Sequence, residues 1–293
     1  MNDIAARFGV TSMSAPLRRV AMRRPLAMLH ADHVDWHYAH PLNPELVLDQ
    51  YEGFVGLVLK AGAEIVWLDD ADDGLADSIF TYDPSFVIPS GAIILRMGKP
   101  RRLDENRLHE RLYEKLSIPI IGRIRSPGTV EGGDCFWVDS TTLAVGRGFR
   151  TNQPGIDQLS YILAAHSINI RVFDLPVYEG SQACLHLMSI VSPLADDLAL
   201  VYPRLLPVAL YELMLERGMT LLQAPDEEFI ASKGLCLNVL TTASKKCIMI
   251  DGFTKTAALM RDAGCTVDVF PGDGLCIPCE GGPTCMTRPI LRG

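Results

Sequence analysis

A pattern in which a helix is followed at once by a short strand recurs five times along this 293-residue chain. In each case an amphipathic stretch ends at a small or polar residue, and a β-rich run begins directly after it. The five junction residues are Gly62, Ser117, Ser167, Gly218 and Gly264. Glycine at three of them suits a left-handed helix cap that leads into a strand. The junctions recur roughly every 50 residues, which is the spacing of one supersecondary unit plus a variable loop.

A second apolar strand is predicted in each unit, after a turn-rich segment. These strands are expected at residues 86–95, 135–145, 184–191, 236–240 and 285–291. An open α/β sheet also alternates helices and strands, but five similar units fit a closed ring better than a sheet with exposed edges. The pattern therefore predicts a ring of five units within one domain.

Composition excludes several other classes of protein. The chain has 27 Lys and Arg against 35 Asp and Glu, and this net charge of −8 disfavours nucleic-acid binding. The longest apolar stretch, near 54–59, is too short to span a membrane. Eight cysteines are too few for a disulfide-stapled scaffold. The arginine-rich start lacks the apolar core of a secretory signal, so we expect a flexible leader at 1–22, one folded domain at 23–293 and a cytoplasmic protein.

Carboxylates occur at a similar distance after the first two junctions, where a ring would bring them to one end of its axis. Asp77 and Asp83 stand six apart in a β-rich stretch, a spacing that puts both on one face of a strand. Glu131 and Asp134 enclose two glycines, which suggests a turn that passes close to another group. Solvated acids at a loop edge and a plain hairpin turn are the alternative interpretations.

Two further residues could carry nucleophilic and acid–base chemistry. His186 lies within an apolar run, where a histidine is either a catalyst or a hydrogen-bonded core residue. Cys285 follows a Gly-Gly-Pro turn whose backbone N–H groups could favour the thiolate. With the carboxylates, these residues supply a nucleophile and a general acid–base without a serine elbow or phosphate loop.

The motifs and their order resemble the guanidine-modifying (pentein) superfamily of arginine deiminases, amidinotransferases and dimethylarginine dimethylaminohydrolases, most closely the last. The resemblance covers the chain from about residue 26 onward, and it rests on Asp-Ser-x-Phe-x-x-Asp (77–83), Glu-Gly-Gly-Asp (131–134), Arg-Thr-Asn (150–152), His-Leu-x-Ser (186–189) and Gly-Gly-x-Thr-Cys (281–285). It implies a five-bladed α/β propeller of five ββαβ modules with pseudo-fivefold symmetry. It also implies a small-molecule substrate and no metal or other cofactor.

The resemblance also implies a role for each motif residue. Cys285 would attack the guanidine carbon, and His186 would protonate the leaving amine and later activate water. Glu131 and Asp83 would hold the guanidinium through charge-assisted hydrogen bonds. The further substrate-binding residues would be Asp77, Asp134 and two arginines for a substrate carboxylate, Arg96 and Arg150. Part of the chain's negative charge would then surround the axis and attract a cationic substrate.

Four histidines lie between residues 30 and 40, and this segment is unusual for a loop. We expect His33, Trp36, His37 and Tyr38 to line the mouth of the pocket, where an aromatic ligand could stack. A structural loop and a metal site are the alternatives. The pair Cys276 and Cys279 lacks the second pair of a zinc ribbon, so packing or oxidative regulation is expected.

Three positions depart from the family pattern, namely Tyr82, Met188 and Glu280. The leading hypothesis is a cysteine hydrolase that converts a methylated arginine to citrulline and an amine. A divergent hydrolase of a planar nitroimidazole-type heterocycle is the alternative, followed by an amidinotransferase and a catalytically silent binding protein. We expect neither a nucleic-acid nor a membrane partner, and the chain could form a homo-oligomer.

Overall fold

Short strands dominate the structure, a computed structural model that describes residues 7–69, 74–180 and 185–293. The strands within these residues are β1 (Leu17–Met22), β2 (Glu64–Trp67), β3 (Ser85–Ile88), β4 (Gly91–Ile94), β5 (Ile120–Arg123), β6 (Cys135–Asp139), β7 (Thr142–Arg147), β8 (Asn169–Asp174), β9 (Val191–Ala195), β10 (Leu198–Val201), β11 (Thr220–Gln223), β12 (Leu240–Ala243), β13 (Lys246–Ile250), β14 (Thr266–Phe270) and β15 (Arg288–Arg292). The α-helices are α1 (His33–Trp36), α2 (Pro44–Lys60), α3 (Asn106–Lys115), α4 (Gln153–Ala164), α5 (Val208–Glu216), α6 (Asp226–Ala231), α7 (Thr254–Asp262) and α8 (Cys276–Cys279).

The strands form five separate sheets of three strands each. In the sheet β3-β4-β5, the first two strands are antiparallel, and α3 crosses over so that β5 lies parallel to β4. The sheets β6-β7-β8, β9-β10-β11 and β12-β13-β14 repeat this ββαβ arrangement with α4, α5 and α7 as crossovers. The predicted five-module α/β propeller is therefore confirmed.

The fifth sheet joins the two ends of the described chain. Its order is β15-β1-β2. The middle strand β1 is antiparallel to β15 and parallel to β2, and α2 is the crossover between β1 and β2. This pairing corrects the expected leader at 1–22, because Leu17–Met22 is the middle strand of a module and Gly9 bridges Leu291. Residues 1–6 of that leader lie outside the described residues.

All five junction residues adopt a left-handed backbone. The φ angles are 86° at Gly62, 56° at Ser117, 59° at Ser167, 73° at Gly218 and 88° at Gly264. A single left-handed residue ends each crossover helix and turns the chain into the next strand. Serine accepts the same conformation as glycine at two of the five positions, although a Cβ atom makes it less favourable.

The predicted second strands begin later than expected in three modules. β9, β12 and β15 begin at Val191, Leu240 and Arg288, whereas the predictions began at 184, 236 and 285. Residue 184 lies outside the described residues, and short turns occupy 187–189, 235–237 and 283–286. The predicted runs 86–95 and 135–145 are each a hairpin of two strands instead of one strand. Residues typical of β-strands therefore occur both in the strands and in the buried turns before them.

The apolar core consists of four clusters in which sheets pack against one another and against the crossover helices. Ile290 on the closing strand β15 belongs to the same cluster as Val87 of β3, so the closing module packs against the next one. In the described part of the chain, no helix combines the length and apolar character needed to cross a bilayer.

Candidate active site

We call the first strand of each module its inner strand; these strands are β3, β6, β9, β12 and β15. A cleft of about 430 Å³ opens where the turns before the inner strands meet. Each module contributes a polar residue at the same stage of its repeat. These residues are Asp77 and Asp83 before β3, Glu131 before β6, His186 before β9, Asn238 before β12 and Cys285 before β15. The pseudosymmetry of the ring thus brings five distant segments to one end of the axis.

The half-buried thiol of Cys285 receives a hydrogen bond from Asn238. The amide Nδ2 of Asn238 donates to Sγ over 3.0 Å, while its Oδ1 accepts from the backbone N–H of Thr284 over 2.9 Å. The second contact fixes which end of the amide faces the sulfur. Burial and the charge of Asp83 raise the pKa of the thiol, while the N–H of Gly282, Asn238 and His186 act to lower it.

His186 is held by Glu131, which lies behind it. The ring Nε2 is 2.7 Å from the Glu131 Oε2, and the glutamate is fully buried. Glu131 also accepts hydrogen bonds from the backbone N–H of Gly98 at 2.8 Å and from Arg150 at 3.4 Å. Burial alone raises the pKa of Glu131, but the bond from His186 and the charge of Arg150 outweigh it and lower the pKa. The carboxylate is therefore ionised and can stabilise a protonated His186.

Asp83 lies beside His186 and lines the cleft. Its Oδ1 accepts from the backbone N–H of Gly133 at 2.9 Å, and its Oδ2 accepts from the buried guanidinium of Arg102 at 2.9 Å. A Cβ atom on Gly133 would stand 2.5 Å from the His186 Nδ1 and 3.1 Å from the Asp83 Oδ1. The second glycine of the Glu-Gly-Gly-Asp motif is thus required because both side chains approach its backbone.

Asp77 is already paired with groups of the protein. Its Oδ2 is 2.6 Å from the Lys99 Nζ, and its Oδ1 accepts from the Tyr38 hydroxyl at 2.9 Å. The Lys99 ammonium also lies over the ring of Trp36, 5.2 Å from its centre. Trp36, Lys99 and Asp77 all line the cleft, so they form one connected wall at its mouth.

Of the remaining predicted site residues, some line the cleft and others do not. Arg150 and His37 line the cleft, as expected, whereas Tyr38 reaches it only through its bond to Asp77. His33 is partly exposed at the start of α1 and does not line the cleft. Glu131 is covered by His186, so it is not placed to hold a guanidinium as the resemblance implied.

Arg96 and Asp134 also do not line the cleft. The Arg96 guanidinium reaches the carbonyl of Gly128 at 3.5 Å, and the Arg96 backbone forms an isolated antiparallel bridge with Val130. Asp134 is fully buried, and its Oδ1 accepts from the backbone N–H of Leu187 at 3.0 Å. It therefore anchors the turn that carries His186, and burial raises its pKa to about 6.

Two residues of the site were not predicted from the sequence. Asn238 lies twenty residues after the junction Gly218, at the spacing that relates His186 and Cys285 to their own junctions, so the repeat could have revealed it. Arg102 is buried between Asp83 and Glu105 and makes two hydrogen bonds of 2.9 Å to Glu105. Nothing in the sequence distinguished Arg102 from the neighbouring surface arginines.

The arrangement favours a small planar cation next to a thiol. Asp83, Glu131 and His186 offer ligand atoms that all lie within 4.8 Å of one another, a spacing that a metal ion could also bridge. However, the contacts from Gly98, His186 and Arg150 occupy the Glu131 oxygens. Cys276 and Cys279 are buried in α8 as free thiols, and Cys279 also lines the cleft.

Comparison with known proteins gives consistent results. The profile of the arginine deiminase family matches residues 72–227, more than half of the chain. A dimethylarginine dimethylaminohydrolase of Streptomyces coelicolor is 28% identical over 285 residues, which cover 93% of this chain and 96% of the relative.

Two solved structures show the same fold. A dimethylarginine dimethylaminohydrolase from Pseudomonas aeruginosa, solved as a cysteine-to-serine mutant complexed with citrulline, has a TM-score of 0.74 at 21% identity and covers 93% of this chain and 99% of its own. An amidinotransferase of saxitoxin biosynthesis from Microseira wollei has a TM-score of 0.79 at 17% identity and covers 97% of both chains.

Proposed function

The chain belongs to the arginine deiminase family, and from this premise we propose that it is a cysteine hydrolase that converts a methylated arginine to citrulline and an amine. The observation that carries the proposal is the convergence of Cys285, His186 and Asp83 on one cleft, with Asn238 and Glu131 supporting the first two. These five residues come from five different modules, and the fold alone does not require these side chains.

We assign the binding of the guanidinium to Asp83. This carboxylate faces the cleft and uses one oxygen for Gly133 and the other for Arg102, which leaves a lone pair on each oxygen for a substrate N–H group. A bound guanidinium would also favour the thiolate of Cys285, because a nearby positive charge lowers a thiol pKa. Substrate binding would thus offset the burial that raises this pKa.

The reaction would then proceed in two steps on the same carbon. The Cys285 thiolate adds to the guanidinium carbon, His186 donates a proton to the departing amine, and the C–N bond breaks to leave a thiouronium adduct. Neutral His186 next removes a proton from water, which adds to the carbon, and the C–S bond breaks to release the ureido product. Glu131 orients His186 and stabilises its protonated form throughout.

The amino-acid end of the substrate would lie toward the cleft mouth. Arg150 is the predicted carboxylate-binding residue that the structure keeps in the cleft. Asp77 would have to exchange its contact with Lys99 for one with a substrate ammonium. The relatives do not favour a nitroimidazole-type substrate, an amidinotransferase or a silent binding protein. A cytoplasmic location and the formation of a homo-oligomer remain predictions.

Amine release separates this proposal from the alternatives. The wild type is expected to form citrulline and dimethylamine from asymmetric dimethylarginine, and Cys285→Ser is expected to form neither. Cys265→Ser, at a cysteine outside the cleft, is the matched control and should retain activity. If the wild type released no amine or ammonia from dimethylarginine, monomethylarginine or arginine, the proposal would be wrong.

A further inference from the structure

A second, smaller cavity of about 20 Å³ lies among the inner strands of all five modules, and we refer to it as the axial cavity. The residues that line it include Phe86 of β3, Trp137 of β6, Pro193 of β9, Thr241 of β12 and Arg288 of β15. Because the five inner strands surround the axis of the ring, this cavity lies on that axis. None of its lining residues lines the active-site cleft.

The axial cavity is lined by hydrogen-bond donors that have no acceptor. The indole Nε1 of Trp137, the Nε of Arg288 and the hydroxyl of Thr284 are buried and make no hydrogen bond to any described residue. These side chains are 4%, 2% and 7% exposed. Indole and guanidinium nitrogens can only donate, so an acceptor inside the cavity that these residues line would satisfy them.

Positive charge in the same place lacks a counterion. The Arg288 guanidinium lies 3.9 Å above the ring of Tyr82 and donates to the Tyr82 carbonyl at 2.7 Å. Arg292 donates to the carbonyls of Ala15 and Thr241, both at 2.7 Å. Neither arginine forms an ion pair within the described residues, and no aspartate or glutamate lines the cavity. Burial and the charge of Arg288 lower the pKa of Arg292 to about 10.

We propose that the axial cavity binds one small monovalent anion of the halide class, with chloride as the physiological ligand. The cavity volume exceeds the roughly 10–15 Å³ that a single water-sized ligand needs. A water molecule could accept two of the three free donors and would then have to donate its own protons, whereas a halide accepts all three. An anion also compensates the charges of the buried Arg288 and the half-buried Arg292, which neutral water cannot do.

Two measurements on the full chain test the site. In crystals soaked in sodium bromide, we expect anomalous density between the Trp137 Nε1 and the Arg288 Nε. In thermal unfolding at constant ionic strength, replacing sodium gluconate by sodium chloride should raise Tm in a saturable way, because a ligand that binds only the folded state stabilises it.

Variants connect the effect to the cavity. Trp137→Phe keeps an aromatic ring against Phe86, which lies 5.7 Å away, but it removes one donor. We expect it to weaken the apparent chloride affinity about tenfold, the loss typical of one hydrogen bond to a charged group. Arg217→Gln, at an exposed arginine, should respond to chloride as the wild type does. Equal Tm values in the two salts, or density for water alone without an anomalous signal, would overturn the proposal, and neither outcome bears on the hydrolase activity.

Discussion

At the residue scale, the site depends on side chains that hold the reacting groups in place. Asn238 is anchored by Thr284 and directs its amide at the sulfur of Cys285. Glu131 is anchored by Gly98 and directs its carboxylate at His186. Both contacts come from the protein's own side chains, which hold the nucleophile and the acid in position.

We predict that Asn238→Leu raises the pKa of the Cys285 thiol by about 1 unit, because a hydrogen bond to a charged group is worth roughly 1.5–3 kcal/mol. The pH dependence of alkylation by iodoacetamide measures this pKa directly, and Cys285→Ser identifies the signal of Cys285 among the other thiols. Asn238→Asp, which keeps the acceptor for Thr284 and adds a negative charge, should raise the pKa further. An unchanged midpoint in Asn238→Leu would show that the amide does not stabilise the thiolate.

At the element scale, two turns from neighbouring modules depend on one buried carboxyl. Asp134 ends the turn Gly132–Asp134 and accepts a hydrogen bond from Leu187 in the turn Leu187–Ser189. Its second oxygen, Oδ2, is buried without a partner among the described residues. The contact therefore joins Glu131 and His186 through their backbones as well as through their side chains.

This carboxyl makes stability depend on pH in a defined direction. Burial raises its pKa to about 6 in the folded chain, above the value near 3.9 of an unfolded aspartate. The stabilising contribution of the protonated form is complete below about pH 4 and is lost as the pH rises through 6. We predict that Asp134→Asn gains about 1–3 kcal/mol in free energy of unfolding relative to the wild type between pH 4 and pH 7.

Urea unfolding at several pH values between 4 and 7 measures this difference. The amide of Asp134→Asn can still accept from Leu187, so the comparison isolates the charge. Asp262→Asn, at an exposed position on α7, is the control and should follow the wild type across the range. Parallel stability curves for Asp134→Asn and the wild type would contradict the prediction.

Local signals in the sequence were sufficient for the repeating elements. The helix ends were predicted at Gly62, Gly218 and Gly264, and the left-handed φ at Ser117 and Ser167 shows that the periodicity carried more information than the residue type. The turns before the inner strands were not predicted, because their apolar residues resemble those of strands. The family resemblance points to Arg96 and gives no signal for Arg102, because which arginine contacts the site depends on the packing of separate modules, and the sequence does not contain that information locally.

At the scale of the whole molecule, the closing sheet makes the site depend on both ends of the described chain. Cys285 lies three residues before the start of β15, which pairs with β1, and the carbonyl of Cys285 accepts a hydrogen bond from the N–H of Tyr82 at 3.0 Å. The nucleophile is thus positioned only when the ring is closed. The axial cavity and the active-site cleft share no lining residue, so they are separate sites.

The charge of the whole chain does not predict the charge of the cleft. The net charge is −8, but four acids at or directly behind the cleft each pair with a cation. The pairs are Asp77 with Lys99, Asp83 with Arg102, Glu131 with Arg150 and Glu280 with Lys233. Asp77, Asp83 and Glu131, three of the four acids expected to surround the axis, are therefore compensated, which reduces their attraction for a cationic substrate.

We therefore predict that a cationic reagent reaches Cys285 at a rate that depends little on salt. Alkylation by 2-chloroacetamidine should change less than about twofold between roughly 20 and 300 mM sodium gluconate, whereas electrostatic steering would reduce it tenfold or more. Neutral iodoacetamide is the reference reagent, and gluconate avoids the halide that the axial cavity is proposed to bind. Lys233→Met leaves Glu280 without its cation at the mouth of the cleft and should make the rate salt-dependent. A steep salt dependence in the wild type itself would mean that the unpaired surface acids, and not the matched pairs of the cleft, dominate the field at Cys285.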